Sequence, residues 1–153
     1  MSGGSCLLDS NILLRWVQPN SPDYAIIVAA LDGLVRDGTT LCYTSQNIGE
    51  FWNACTRPAD RNGYGLSPEE TDRRVRILER HLHLLPDVPP VHQEWRKLIV
   101  AHAVCGVQVH DARLVAAMCV HGVKRILTFD GKDFVRFTEI QAVSPREVLA
   151  RQM

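Results

Sequence analysis

What this chain lacks narrows the field first. Five cysteines are present, Cys6, Cys42, Cys55, Cys105 and Cys119, yet no two form a C-x-x-C pair. The ligand spacing of a structural zinc site is therefore missing. Each cysteine sits among apolar neighbours, which reads as small buried hydrophobes in a reducing compartment. No apolar run is long enough to span a bilayer, and Met1–Ser5 has no signal-peptide pattern, so a cytoplasmic, membrane-free protein is expected. There is no internal repeat and no low-complexity segment. An excess of charge is missing too, because 17 basic residues balance 17 acidic ones. That argues against a tight, non-specific binder of duplex nucleic acid. It leaves room for an enzyme that gathers acids around a metal and keeps its basic residues elsewhere.

What is present suits one packed domain spanning residues 1–153. Hydrophobic residues make up 46% and charged residues 22%, and a chain of this length buries roughly 70% of its unfolded surface. Short apolar runs alternate with longer helical patterns, which predicts an α/β fold with a central, mainly parallel sheet flanked by helices. Strands are expected at Cys6–Leu8, Leu41–Thr44, His83–Leu85, Arg125–Thr128 and Ile140–Val143. Helices are expected from Pro22–Asp23 to Val35, ended by Gly38; after Ser45 as N-cap, stopped by Pro58; and from Ser67-Pro68-Glu69-Glu70 to about Arg80. Further helices are expected over Val91–Cys105, over Asp111–Val120 closed by Gly122, and after Ser144-Pro145-Arg146-Glu147. Ala59–Leu66, with Asn62, Gly63 and Gly65, reads as a loop.

Four acids fall at telling places on this map. Asp9 lies just past the first strand, Glu50 about one turn into the helix after the second, and Asp130 just past the strand that ends at Thr128. Ligands of parallel α/β sheets bind outside the carboxyl ends of strands. Asp111 joins the other three if the N-terminus of its helix points there, an end that favours an acid. Two unit charges ~4 Å apart repel by about 4 kcal/mol at an effective dielectric of ~20, so such a cluster needs either protonation or a central cation. Oxygen-only ligands suit Mg²⁺ or Mn²⁺, and such an ion can lower the pKa of a water and stabilise a phosphoryl transition state. The residues by themselves also allow a plainer reading. Asp9 before Ser10-Asn11 can cap a short helix, and Asp130-Gly131 is a turn signal.

Four segments carry a resemblance: Leu7-Leu8-Asp9-Ser10-Asn11-Ile12-Leu13, Ser45-Gln46-Asn47-Ile48-Gly49-Glu50-Phe51, His110-Asp111-Ala112-Arg113-Leu114-Val115-Ala116-Ala117 and Leu127-Thr128-Phe129-Asp130-Gly131-Lys132-Asp133-Phe134. In this order they resemble the signature blocks of the PIN-domain family, and within it the VapC-type toxins of bacterial toxin–antitoxin pairs. The likeness runs from about residue 6 to residue 149. It implies a parallel sheet wrapped by helices, cleavage of RNA with one or two Mg²⁺ or Mn²⁺ ions, frequent homodimers, and an antitoxin partner that blocks the site. By the resemblance, Asp9, Glu50, Asp111 and Asp130 are the catalytic, metal-binding acids. Ser10 stands where the family often has Thr or Ser, and Thr128 matches a hydroxyl residue that supports the last acid. The loop Arg57–Ser67 is longer than in the shortest members.

On this reading Asp9, Asp111 and Asp130 bind metal directly and Glu50 binds through oxygen or through a water. Ser10, Asn11 and Thr128 are expected to fix carboxylate rotamers, and Asp133 either assists the fourth acid or caps a turn before Phe134. Arg57 and Lys132 are the candidate phosphate contacts. The remaining arginines around Arg73–Arg80 alternate with acids and read as a solvated helix face. The histidines read as surface or half-buried residues, and Trp52 and Trp95 as core packing. Two other readings compete. A different metal-dependent phosphoester hydrolase, such as a haloacid-dehalogenase phosphatase, needs Asp-x-Asp after the first strand, where this chain has Asn11. A non-catalytic RNA- or protein-binding module on the same fold would have no need of all four acids.

Overall fold

The structure, a computed structural model, describes residues 3–152. The chain runs β1 (Ser5–Leu8), α1 (Ser10–Trp16), α2 (Tyr24–Arg36), β2 (Thr40–Tyr43), α3 (Ser45–Thr56), α4 (Pro68–His81), β3 (His83–Leu84), α5 (Pro89–Ala101), α6 (Val109–His121), β4 (Arg125–Leu127), β5 (Gln141–Val143) and α7 (Pro145–Ala150). The strands form one sheet in the order β3-β2-β1-β4-β5. Every pairing is parallel, so the expected parallel character is complete.

Alternation along each strand divides the core in two. Cys6, Leu8, Leu41 and Leu127 pack on one face with side chains of α1, α2, α3, α4 and α7. Leu7, Cys42 and Ile126 pack on the other, mainly against α5 and α6. The central strand is covered on both faces, which is why its sequence is an unbroken apolar run ending abruptly in Asp9.

The order of the strands places the functional edge. From β1 the chain steps outward to β2 and β3, then returns to the opposite side of β1 for β4 and β5. The direction of winding therefore reverses between β1 and β4, and a crevice opens at their carboxyl ends. Leu8 pairs with Leu127 at the last rung, so residues just beyond each are neighbours.

Caps account for most of the helix boundaries. Ser67 accepts from the Glu70 backbone N–H, and Ser144 and Glu147 form a reciprocal capping box. Gly122 ends α6 at φ 71°, a left-handed conformation that a side chain would resist. Four expectations need correcting. Thr44, not Ser45, caps α3, because its hydroxyl accepts from Asn47 N while Asn47 returns a bond to the Thr44 N–H. Helix α5 begins at Pro89, whose missing N–H suits a first turn, and stops at Ala101, short of Cys105. Helix α6 begins at Val109, which makes Asp111 its third residue rather than its first. Cys105 is exposed, unlike the buried Cys6, Cys42 and Cys55. Among the described residues no helix is long and apolar enough to cross a membrane.

Leu127 is fully buried where β4 abuts β1, whereas Val135 is 80% exposed. Leu127→Ala is expected to cost about 2–5 kcal/mol and Val135→Ala under about 0.5 kcal/mol. Urea unfolding of the two variants measures the contrast, and equal losses would contradict this account of the core.

Candidate active site

The carboxylate of Asp9 sits at the junction of three elements. Its backbone N–H donates to Leu127 O at 3.0 Å, which continues the β1–β4 ladder by one step. One carboxylate oxygen accepts from Ser10 N at 2.8 Å, so Asp9 does cap α1. The other accepts from the Thr128 hydroxyl at 2.7 Å. Capping and membership of an acid cluster are thus compatible roles for one residue. The same Thr128 oxygen accepts from Asp130 N at 3.0 Å and from Asn11 Nδ2 at 3.3 Å. Asn11 completes the knot: its amide N–H donates to Asp130 Oδ2 at 3.0 Å, and its Oδ1 accepts from Phe129 N at 3.3 Å.

Glu50 arrives from the other side of β1. The Ser10 hydroxyl donates to Glu50 Oε1 at 2.6 Å. Asn47, fully buried, donates from Nδ2 to Ser10 Oγ at 3.4 Å, while its Oδ1 accepts from the Thr44 N–H and hydroxyl at 3.0 and 2.9 Å. The amide that caps α3 therefore also positions Ser10. Asn47 lies within the second signature segment, but its role depends on pairing across the fold and has no local signal. Gln46 was missed for the same reason. Its side-chain amide donates to His110 O at 2.8 Å and ties the start of α3 to the first turn of α6, where Asp111 lies. Trp95 reinforces that end by donating to Val109 O at 2.7 Å.

Electrostatics joins the four acids. Burial pushes the Asp9 carboxyl above its ordinary value; hydrogen bonds from Thr128 and Ser10 oppose the rise, and the charges of Glu50 and Asp130 add to it. Asp111 is pushed up to about 6, by burial first and then by the negative charges of Asp133, Asp9, Glu50 and Asp130. Asp133 ends the 3-10 turn Gly131–Asp133. Its charge adds to the rise at Asp111, and its place just before Phe134 is the turn position that the sequence offered as the alternative to assisting the fourth acid.

The other candidates separate clearly. Lys132 is exposed in the same turn, between Asp130 and Asp133. Arg57 is not free on the surface. One guanidinium nitrogen donates to Asn62 O at 3.0 Å, and its Nε is buried without a partner. Arg73 and Arg74 pair with Glu70, and Arg76 pairs with Asp72, as a solvated helix face would. His81, His83, His92 and His110 are exposed and His102 and His121 half-buried.

The donor set was tested against a divalent cation. The four side chains offer only carboxylate oxygens, which suits Mg²⁺ or Mn²⁺, and their mutual charge adds to the burial that raises Asp9 and Asp111, a repulsion that a dication would relieve. As placed, no three His, Cys, Asp or Glu side chains among the described residues stand close enough to hold an ion. Glu50 is turned toward Ser10 and Asp130 toward Asn11. The residues fit such an ion in chemistry, and binding one would draw these side chains inward.

Comparison with known proteins places this geometry. The PIN-domain family model matches residues 6–140, and the chain belongs to the PIN-domain family. Solved structures agree on the fold. VapBC2 from Rickettsia felis, bound to a DNA fragment from its promoter, has a TM-score of 0.69 at 13% identity, covering 92% of this chain and 98% of that one. VapBC-1 from nontypeable Haemophilus influenzae gives 0.68 at 16% identity, covering 93% and 98%. VapC20 of Mycobacterium tuberculosis, a toxin that cleaves the sarcin–ricin loop, gives 0.63 at 12% identity, covering 86% and 95%. A comparison with curated protein sequences gives no match.

Two outcomes follow from the site. Asn47→Ala leaves the Thr44 N–H and the Ser10 hydroxyl without their buried partner, and should cost about 1–3 kcal/mol in urea unfolding; a loss near zero would remove Asn47 from this role. Asp111 has its folded pKa above its unfolded one, so the folded state holds the proton more tightly. Its contribution to stability is present below about pH 4 and is lost as pH rises toward 6. The group is partly exposed, so screening reduces that loss to on the order of 1 kcal/mol. Metal-free protein should show this decline between pH 4 and 6 in thermal melts, and Asp111→Asn should flatten it.

Proposed function

We propose that this protein is a divalent-metal-dependent endoribonuclease that acts as the toxin of a VapBC-type toxin–antitoxin pair. The observation that supports it best is the gathering of four carboxylates, from four separate segments, at the switch point of a PIN-domain sheet, with two of them pushed toward protonation. Such an edge is costly to keep without a cation and is suited to holding one. Asp9, Asp111 and Asp130, with Glu50, would hold one or two Mg²⁺ or Mn²⁺ ions. A bound ion supplies an activated water and stabilises the charge that develops on phosphorus and the leaving oxygen.

The protein's own groups do the rest. Thr128 and the Ser10 N–H fix the rotamer of Asp9, Asn11 orients Asp130, and Ser10, itself held by Asn47, orients Glu50. Lys132 is the phosphate contact that the geometry favours over Arg57. The toxin reading brings with it an antitoxin that covers this edge, a homodimer, and a cytoplasmic setting. The complexes with VapB among the similar structures support the partner.

The test is incubation of the purified protein with single-stranded and structured RNA, with Mg²⁺ or Mn²⁺ and with chelator, beside Asp9→Asn. Cleavage that needs the metal and falls by at least about 100-fold in the variant is expected, since a group acting in the transition state is lost. The variant should stay folded and, without metal, melt slightly higher, because repulsion is relieved. Full metal-dependent activity in Asp9→Asn would refute the assignment.

A further inference from the structure

Beside the acid cluster lies a groove of about 460 Å³, lined chiefly by Asn11, Arg15, Gln18, Asn20, Ser21 and Tyr64. It opens onto the catalytic edge through Asn11, the residue that donates to Asp130 at 3.0 Å. Its volume is that of a small-ligand site. No carboxylate lines it, which contrasts with the four acids next door. Its walls offer amide groups that both donate and accept, a planar cation and an aromatic ring.

The cation and the ring are both held still. Arg15 lies over the Phe129 ring at 4.9 Å, is paired with Asp23 at 3.3 Å and donates to Asn11 O at 3.1 Å. Its guanidinium plane is thereby fixed. Tyr64 comes from the loop after α3. That loop is clamped to the end of its helix by four backbone bonds: Gly63 N to Pro58 O, Tyr64 N to Ala54 O, Gly65 N to Arg57 O and Leu66 N to Cys55 O, all between 2.8 and 3.1 Å. Gly63 passes so close to Arg57 that a Cβ would overlap its carbonyl, and the Arg57 side chain braces the turn from within through Asn62 O. All this ordering leaves the tyrosine side chain 38% exposed on the groove.

An aromatic ring on a clamped backbone, a fixed planar cation and neighbouring amides form the set that recognises an unpaired base. Such a base stacks on aromatic and guanidinium planes and is read along its edge by amide side chains. We infer that this groove holds a nucleobase of the RNA strand flanking the scissile phosphate, with Tyr64 as the stacking platform and Gln18 and Asn20 as the groups that discriminate among bases. The inference rests on the ribonuclease reading and adds to it a base-binding subsite with named residues.

The experiment measures binding of short fluorescent poly(A), poly(C), poly(G) and poly(U) oligonucleotides to the Asp9→Asn protein in Mg²⁺, with Tyr64→Ala, Tyr64→Phe, Gln18→Ala or Asn20→Ala added. Tyr64→Ala should weaken binding by roughly 5- to 150-fold, the value of one stacked base, while Tyr64→Phe stays within about twofold because it keeps the ring. Gln18→Ala or Asn20→Ala should change the ranking of the four oligonucleotides. Unchanged binding by Tyr64→Ala at unchanged Tm would overturn the proposal, even where the wild type cleaves RNA. If Tyr64→Ala unfolds, the groove is tested by the other two variants, which lie in the connection between α1 and α2, away from the Tyr64 loop in sequence, and an unaltered ranking in both overturns it. Absence of both binding and cleavage in the parent proteins would remove the ribonuclease reading and the groove together.

Discussion

One hydroxyl group holds the functional edge together. Thr128 Oγ1 donates to Asp9, accepts from the backbone of Asp130 and receives the amide of Asn11, all at a residue only 1% exposed. The sheet itself creates the need for it. Because Leu8 and Leu127 are partners on adjacent parallel strands, Asp9 comes to lie beside Thr128, and Asp130, two residues further on, is brought to the same edge. Like charges gathered at one partly buried edge repel one another. A buried hydroxyl and an amide cannot cancel that repulsion, but they fix where each carboxylate points. Burial first, and then this repulsion, raises the carboxyls of Asp9 and Asp111.

A second knot performs the same task on the far side of β1. Asn47 caps its own helix and, through Ser10, orients Glu50. The two knots meet in consecutive residues, since Asp9, Ser10 and Asn11 each reach a different acid or its support. The first turn of α1 is therefore the hub of the site, and a capping interaction is what sets that turn at the end of β1. Local helix chemistry and long-range site geometry are satisfied by the same atoms, which is why the plain capping reading of Asp9 did not compete with the functional one.

How far the sequence discloses this depends on the range of each interaction. Strand and helix identities follow from periodicity and caps, and the carboxyl-edge placement of Asp9, Glu50 and Asp130 follows from parallel-sheet topology. Features set by contacts across the fold were hidden. The displacement of the α3 cap from Ser45 to Thr44 is the exception, a local reciprocal bond between Thr44 and Asn47 three residues on, which the neighbouring Ser45 masked as the more familiar cap. The bond from Gln46 to His110 O joins residues 64 positions apart. Arg57 read as a surface cation because nothing in its neighbours reveals that the chain folds back around it. The long loop after it read as an insertion of unknown use until its backbone clamps showed where Tyr64 is held.

The neutral composition takes on meaning at this point. Arg15, Arg36, Arg73, Arg74, Arg76, Arg113 and Lys97 are each within reach of a carboxylate partner. Seven of the 17 basic residues are therefore neutralised by a local partner. A polyanion approaching the acid cluster would meet net repulsion there, and electrostatic capture of the kind that dominates duplex binding has little to draw on. Affinity must then come from two other sources. A divalent ion would offset much of the negative charge of the edge and offer a direct ligand position to a phosphate oxygen, and stacking adds attraction that is indifferent to charge. Stacking needs bases that are not already paired, so the same charge balance that weakens non-specific capture favours an unpaired strand held by its bases.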